Sequence, residues 1–172
     1  MNKFFVIVLL ISAMLMCGCN KKETVIPPVM PTDIITKEDA EAAIGGNYKL
    51  KLNYDAVVCI DDNSYKASYM SEPIGSGDPV FVTVTSPSES LPESSVKELY
   101  KSGYEGRTKK KKVEGLGEEA YIAFPSINIY QNGYYIVITA GSGDTQEQID
   151  LLISLGKTAV ENLGMYLQQY EK

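Results

Sequence analysis

Apolar residues dominate Ile127-Asn128-Ile129-Tyr130-Gln131 and Tyr134-Tyr135-Ile136-Val137-Ile138, two runs separated by Asn132-Gly133. That dipeptide supplies the positive backbone angles of a type I′ turn, so the run predicts a β-hairpin. Pairing across the turn sets Ile129 opposite Ile136 and Ile127 opposite Ile138, which assigns these four to the core face. Tyr130, Tyr135 and Val137 then line the other face, which is only partly wet. Residues 119–124 precede the hairpin and read as its neighbouring strand.

Four more strands are predicted earlier. Tyr48, Leu50, Leu52 and Tyr54 alternate with Lys49, Lys51 and Asn53. Residues 56–60 form an apolar run that turns at Asp61-Asp62-Asn63-Ser64 into residues 65–70. Val80, Val82 and Val84 alternate with Phe81, Thr83 and Thr85.

Helical periods fill the gaps. Thr36-Lys37-Glu38-Asp39 resembles a capping box, with Ile35 and Ala40 spaced as a hydrophobic staple. Ala40, Ala43 and Ile44 form one face, and Gly45-Gly46 stops the helix. A second helix starts at Ser90-Leu91-Pro92-Glu93 with Ser90 as cap; Val96, Leu99 and Tyr100 form its stripe and Gly103 ends it. A long last helix spans residues 146–170, with Ile149, Leu152, Ile153, Ala159, Val160, Leu163 and Leu167 at a 3.6-residue period. Gly156 and Gly164 weaken it or admit a close neighbour. The order α-β-β-β-β-α-β-β-β-α predicts an α+β fold, a mainly antiparallel sheet of about six to seven strands with helices packed on its faces.

The start of the chain has a different pattern. Lys3 is followed by an apolar run from Phe4 to Met16, then Gly18 and Cys19. This is a secretory leader, too short and wrongly flanked for a mature span. A cysteine after a small residue makes it a lipoprotein leader: cleavage before Cys19 and acylation of that cysteine. Cys17 follows bulky Met16, so Gly18 selects Cys19. An ordinary secreted protein with a disulfide and an uncleaved anchor are the competing readings. Residues 1–18 are the expected signal peptide. Residues 19–34 are the expected lipidated N-terminus and tether, extended by Pro27, Pro28 and Pro31. Residues 35–172 are the expected single domain.

Composition narrows the function. The 172 residues carry 16 basic and 22 acidic side chains, a net charge of −6. That balance argues against nucleic acid and against anionic lipid held by charge alone. The chain has no histidine. This excludes Ser-His-Asp and Cys-His catalysis, histidine-based zinc sites and histidine-ligated haem. With Cys19 lipidated, Cys59 has no intramolecular partner. In the run Val57-Val58-Cys59-Ile60, beside Asp61 and Asp62, it reads as a small buried hydrophobe rather than a reactive thiol.

Candidate chemistry is sparse. Ser94-Ser95-Val96-Lys97 and Ser154-Leu155-Gly156-Lys157 both match Ser-x-x-Lys, a frequency expected by chance, with no Ser-Asp-Asn or Lys-Thr-Gly companion. Asp55, Asp61, Asp62 and Asn63 lack EF-hand spacing and read as a turn. Lys109-Lys110-Lys111-Lys112 is the lone basic run. It reads as a contact for headgroups, an anionic wall polymer or an acidic partner, or as a solvated strand edge. Twelve tyrosines and no tryptophan raise a further choice for Tyr130 and Tyr135, a recognition surface or rings buried beneath a helix.

Three segments carry a resemblance: Thr36 to Gly46, Gly115-Leu116-Gly117-Glu118-Glu119-Ala120-Tyr121, and Asp150 to Leu163. In this order they resemble small bacterial lipoproteins of unknown function with a PsbP-like α/β/α sandwich. The resemblance implies that sandwich over residues 35–170 and supplies no catalytic residue. The expectation is therefore a non-catalytic interaction or accessory module, moored through lipid on Cys19 to the extracytoplasmic face of a bacterial membrane and meeting an envelope protein. No cofactor or metal is expected. Tyr130, Tyr135 and Lys109, Lys110, Lys111 and Lys112 are the candidate partner surface. A carrier of small ligands or hydrophobic cargo, and a hydrolase using carboxylates or a Ser-Lys pair, are the alternatives.

Overall fold

The structure, a computed structural model, describes residues 27–44, 49–52, 58–61, 63–73 and 77–170. The leader, Cys17 and Cys19, and the predicted stop at Gly45-Gly46 lie outside the described residues. The elements are α1 (Pro31–Ile34), α2 (Lys37–Ile44), β1 (Lys49–Leu52), β2 (Val58–Asp61), β3 (Ser64–Glu72), β4 (Val80–Thr85), α3 (Glu93–Glu105), β5 (Lys111–Lys112), β6 (Glu119–Ala123), β7 (Ser126–Gln131), β8 (Tyr134–Ala140) and α4 (Gln146–Gln168).

The eight strands among the described residues join one antiparallel sheet in the order β1-β3-β4-β8-β7-β6-β5, with β2 also paired to β3. The hairpin has the predicted register, Ile127 opposite Ile138 and Ile129 opposite Ile136. Asn132 and Gly133 have φ of 50° and 83°, the pair of left-handed residues that a type I′ turn requires. The strand absent from the sequence reading is β5, whose two residues are both lysine. Its identity as a strand comes from pairing with β6, because lysines alone carry no period-two signal.

One face of the sheet presents Ala67, Tyr69, Val82, Val84, Ile122, Ile127, Ile129, Ile136 and Ile138 to α1, α2 and α4. Each fully buried aliphatic side chain contributes about 1.5–3 kcal/mol relative to exposure, so this layer dominates stability. Gly156 lets α4 come close: a β-carbon there would lie 2.9 Å from Leu116 and 3.1 Å from Ile129. The opposite face is covered over β7 and β8 by α3. The result is the expected sheet with helices on both faces.

Three boundaries differ from the sequence reading. The packed body starts before residue 35. Val29 and Ile34 are fully buried, and the Val29 amide donates to Ser86 Oγ at 3.2 Å. Pro31 at the first helical position starts a turn, and the Asp33 carboxylate accepts from the Met30 amide at 3.1 Å. The proline spacing suggested a tether, but the apolar residues between the prolines give the segment something to bury. Next, α3 has Pro92, not Ser90, at its N-terminal boundary. Ser88 instead takes the neighbouring turn, accepting from the Leu91 amide at 3.0 Å. Finally, α3 runs through Gly103 to Glu105, because Gly103 serves close packing rather than termination. The predicted capping box at Thr36 is present: Thr36 Oγ1 accepts from the Asp39 amide at 3.1 Å and Asp39 accepts from the Thr36 amide at 2.9 Å.

Candidate functional site: the tyrosine layer and the basic sheet edge

Five tyrosines meet beneath α3. Tyr100 and Tyr104 are four residues apart on the helix and so project from the same side. Tyr121 comes from β6, Tyr130 from β7 and Tyr135 from β8. The Tyr100 ring lies 5.4 Å from Tyr121, 5.9 Å from Tyr130 and 5.7 Å from Tyr135, the last edge-on. Tyr104 meets Tyr121 edge-on at 5.0 Å. These tilted and edge contacts are the arrangements that aromatic quadrupoles favour.

The polar tips are satisfied within the layer. Tyr130 donates to Glu93 Oε1 at 3.0 Å and Tyr135 donates to Asn128 Oδ1 at 2.8 Å. A β-carbon at Gly103 would sit 3.0 Å from both the Tyr121 and Tyr135 hydroxyls. Burial raises every one of the shifted phenols. Tyr130 is pushed up to about 12 by burial, then by its bond to Glu93. Tyr100 is raised by burial and then by Glu119, and Tyr135 by burial and then by Tyr121. Tyr121 rises by burial against an opposing hydrogen bond. All four remain neutral at physiological pH.

This corrects one part of the candidate surface. Tyr130 is 1 % exposed and Tyr135 packs against the same cluster. They are core residues of a second layer, because α3 covers the face of the hairpin that its sequence left apolar. The sequence put Tyr100 on the apolar stripe of the second helix and Tyr121 in the Gly-Leu-Gly segment without joining them, or Tyr104, to this layer; the spacing of Tyr100 and Tyr104 was the available signal.

The lysines behave oppositely. Lys109, Lys110, Lys111 and Lys112 are all exposed. Lys110 lies 3.6 Å from the centre of the Tyr104 ring and donates to the Tyr104 carbonyl at 2.8 Å. Lys112 is 3.0 Å from Glu114. Between α3 and this edge is a pocket of about 220 Å³ lined by Tyr100, Lys101, Tyr104, Glu105, Lys112 and Glu119.

Both serine–lysine matches fall on helices, the first on α3 and the second on α4. Lys97 pairs with Glu119 at 3.4 Å and lies 4.9 Å from the centre of the Tyr130 ring, on the sheet side of α3. Ser94 lines a shallow outer groove with Leu91, Ser95 and Leu99. Ser154 and Lys157 are exposed on α4. Of the acidic turn, Asp55 and Asp62 lie outside the described residues, and Asn63 Nδ2 donates to Ser90 Oγ at 3.4 Å. Among the described residues no three acidic or cysteine side chains gather to hold a metal ion. Cys59 is paired by backbone register with Tyr65.

What these observations define is an α+β sheet closed by helices on both sides, with one strongly basic edge. Among the described residues no helix is long and apolar enough to cross a membrane. No protein-family model, no curated protein and no solved structure matches the chain.

Proposed function

We propose that this chain is a lipid-anchored, non-catalytic contact module on the extracytoplasmic face of a bacterial membrane. Acyl groups on Cys19 moor it, and its folded body meets an envelope protein. The observation that carries the contact reading is the tyrosine layer. Rings from three strands and a helix fill the space between α3 and the sheet, where a carrier would keep a cavity. Beside that layer is a pocket of about 220 Å³, below the roughly 300–1,000 Å³ of sites that enclose a small molecule, and on the outer side of α3 is an open groove of about 310 Å³. Lys101, Glu105, Lys112 and Glu119 line the smaller pocket and suit it poorly to hydrophobic cargo. The mooring rests on the leader pattern ending at Gly18-Cys19.

The test has two arms. Cys19→Ala should release the protein from membranes into the soluble fraction, and mass spectrometry of the native chain should find an acylated residue 19. Crosslinking in intact cells should then join the native chain to a defined envelope protein. Membrane retention of Cys19→Ala, or an unmodified cysteine, overturns the anchor. Turnover of a substrate by the purified chain overturns the non-catalytic reading.

A further inference from the structure

We infer that the outer edge of β5 is a strand-addition site for an extended, acidic segment of a partner protein. The inference rests on the contact-module reading and names its surface.

The backbone provides the first half of the argument. β5 ends the sheet order. Its inner side pairs with β6, Lys111 opposite Ile122 and Lys112 opposite Tyr121. The ladder extends one residue further, with the Val113 amide donating to the Ala120 carbonyl at 2.9 Å. In an antiparallel ladder the backbone groups of successive residues point alternately inward and outward. Val113 donates inward, so the N–H and C=O of Lys112 point outward, toward the position of the next strand. An extended peptide laid there continues the sheet through main-chain hydrogen bonds, while side-chain contacts choose the peptide.

Charge provides the second half. Residues 107–112 hold five of the chain's 16 basic side chains, Arg107 and Lys109 to Lys112, in a protein of net charge −6. Lys110 is fixed on the Tyr104 ring and carbonyl, which anchors the segment to α3. Lys109 and Lys111 are exposed. The Lys112–Glu114 pair has both partners largely exposed, so an incoming carboxylate exchanges with Glu114 at little cost. Edge lysines also discourage two copies of this edge from pairing. The same charges favour an acidic strand, so repulsion of self and selection of the partner come from one device.

The described chain enters the body away from this edge. The N-terminal segment joins the body at Ser86, beside the end of β4. From β4 to β5 the order runs through β8, β7 and β6, four strand spacings or roughly 19 Å across the sheet. The basic edge thus lies four strand spacings from that entry point, and the vesicle control tests a headgroup contact.

The experiment uses the full chain in detergent and a fluorescent peptide alternating Glu and Val. Controls are the same peptide N-methylated on alternate residues, inorganic polyphosphate, and vesicles rich in phosphatidylglycerol. We expect the alternating peptide to bind and the N-methylated one, of equal charge, to fail. Lys109→Glu, Lys111→Glu and Lys112→Glu together should weaken binding at least tenfold. Lys112→Pro should also weaken binding while the melting temperature holds, because the proline removes an outward N–H and no ladder bond. Equal binding of the N-methylated peptide or polyphosphate would reduce the edge to a polyanion surface and overturn strand addition, as would binding to the vesicles alone. Absence of any peptide binding overturns it too. None of these results touches the contact-module reading, which the Cys19→Ala and crosslinking arms decide separately.

Discussion

The Tyr130 hydroxyl on β7 donates to the carboxylate of Glu93, the first residue of α3, at 3.0 Å. One turn on, Lys97 caps the same ring and pairs with Glu119 of β6. At its first turn the helix therefore meets the sheet through a tyrosine that is buried at its ring and polar at its tip. This connection ties the start of α3 to the sheet, and Pro92, two residues beyond Ser90, is the helix boundary.

Tyr130→Phe should keep the ring contacts and lose the bond to Glu93. The carboxylate is near solvent and rehydrates, so we expect a loss of about 1 kcal/mol. Tyr130→Ala should cost about 3–5 kcal/mol because it also opens a cavity. Urea melts of both variants check the difference; equal losses would show that the ring contributes nothing beyond its hydroxyl.

Alkaline pH should dissolve the layer as a unit. Burial raises the phenols of Tyr100, Tyr121, Tyr130 and Tyr135 in the folded state. A raised folded value means the neutral ring is favoured by folding. That stability is fully present below the unfolded tyrosine value, roughly 10, and is lost as pH rises through the folded values, about 12 for Tyr130. The melting temperature should show no tyrosine-linked fall up to pH about 10 and decline above it. Tyrosinate absorbance from the layer should appear together with loss of helical circular dichroism. Ionisation of these four rings near their ordinary value with the helix intact would contradict their burial.

Gly103→Ala tests how α3 sits on the rings. In a free helix alanine gains about 1 kcal/mol over glycine. Here the added carbon would lie 3.0 Å from two hydroxyls, and Tyr135 is pinned to Asn128 at 2.8 Å. The neighbours have to give, so we expect a net loss of about 1 kcal/mol. Gly103→Ala combined with Tyr135→Phe should recover part of it, because the second change removes one of the two crowding oxygens. By contrast Gly164→Ala, with nothing within 4 Å of the new carbon, should stabilise α4 by roughly 0.5–1 kcal/mol. Thermal melts of the set give the comparison.

The sequence was most legible where a local rule sufficed. Asn132-Gly133 dictates both turn type and register, and Thr36 with Asp39 closes its own cap within three residues. It was least legible where the deciding partner is distant. Lys111 and Lys112 become a strand only because Ile122 and Tyr121 are beside them. Gly103 reads as a helix stop until the hydroxyls of Tyr121 and Tyr135 occupy the space its missing side chain leaves. For Tyr130 and Tyr135, the alternation showed that they face away from the main core but not that α3 would cover them. Of the two readings open for them, the rings beneath a helix are what the structure has, and the four lysines are exposed.

The N-terminal segment shows the same long-range dependence, and it can be tested by loosening one bond. Asn162 on α4 donates to the Ile34 carbonyl at 3.0 Å, the Tyr69 hydroxyl donates to the Ile35 carbonyl, and Ser86 holds the Val29 amide. These bonds hold the last turn before α2, and Val29, Ile34 and Ile35 supply its buried surface. Asn162→Ala removes a side-chain donor from a half-buried carbonyl and leaves the apolar contacts in place, so the global loss should be near 1 kcal/mol. Its local effect should be larger. Residues 27–36 are joined to the rest by few such bonds and open first when one is cut. We expect limited proteolysis to cleave within this segment severalfold faster in Asn162→Ala, with fragments from the remainder appearing no sooner than in the native chain. Tyr69→Phe should act in the same direction. Uniform acceleration at every cleavage site would mean that the segment unfolds only with the whole domain, and that its bonds to α4 and β3 belong to one cooperative core.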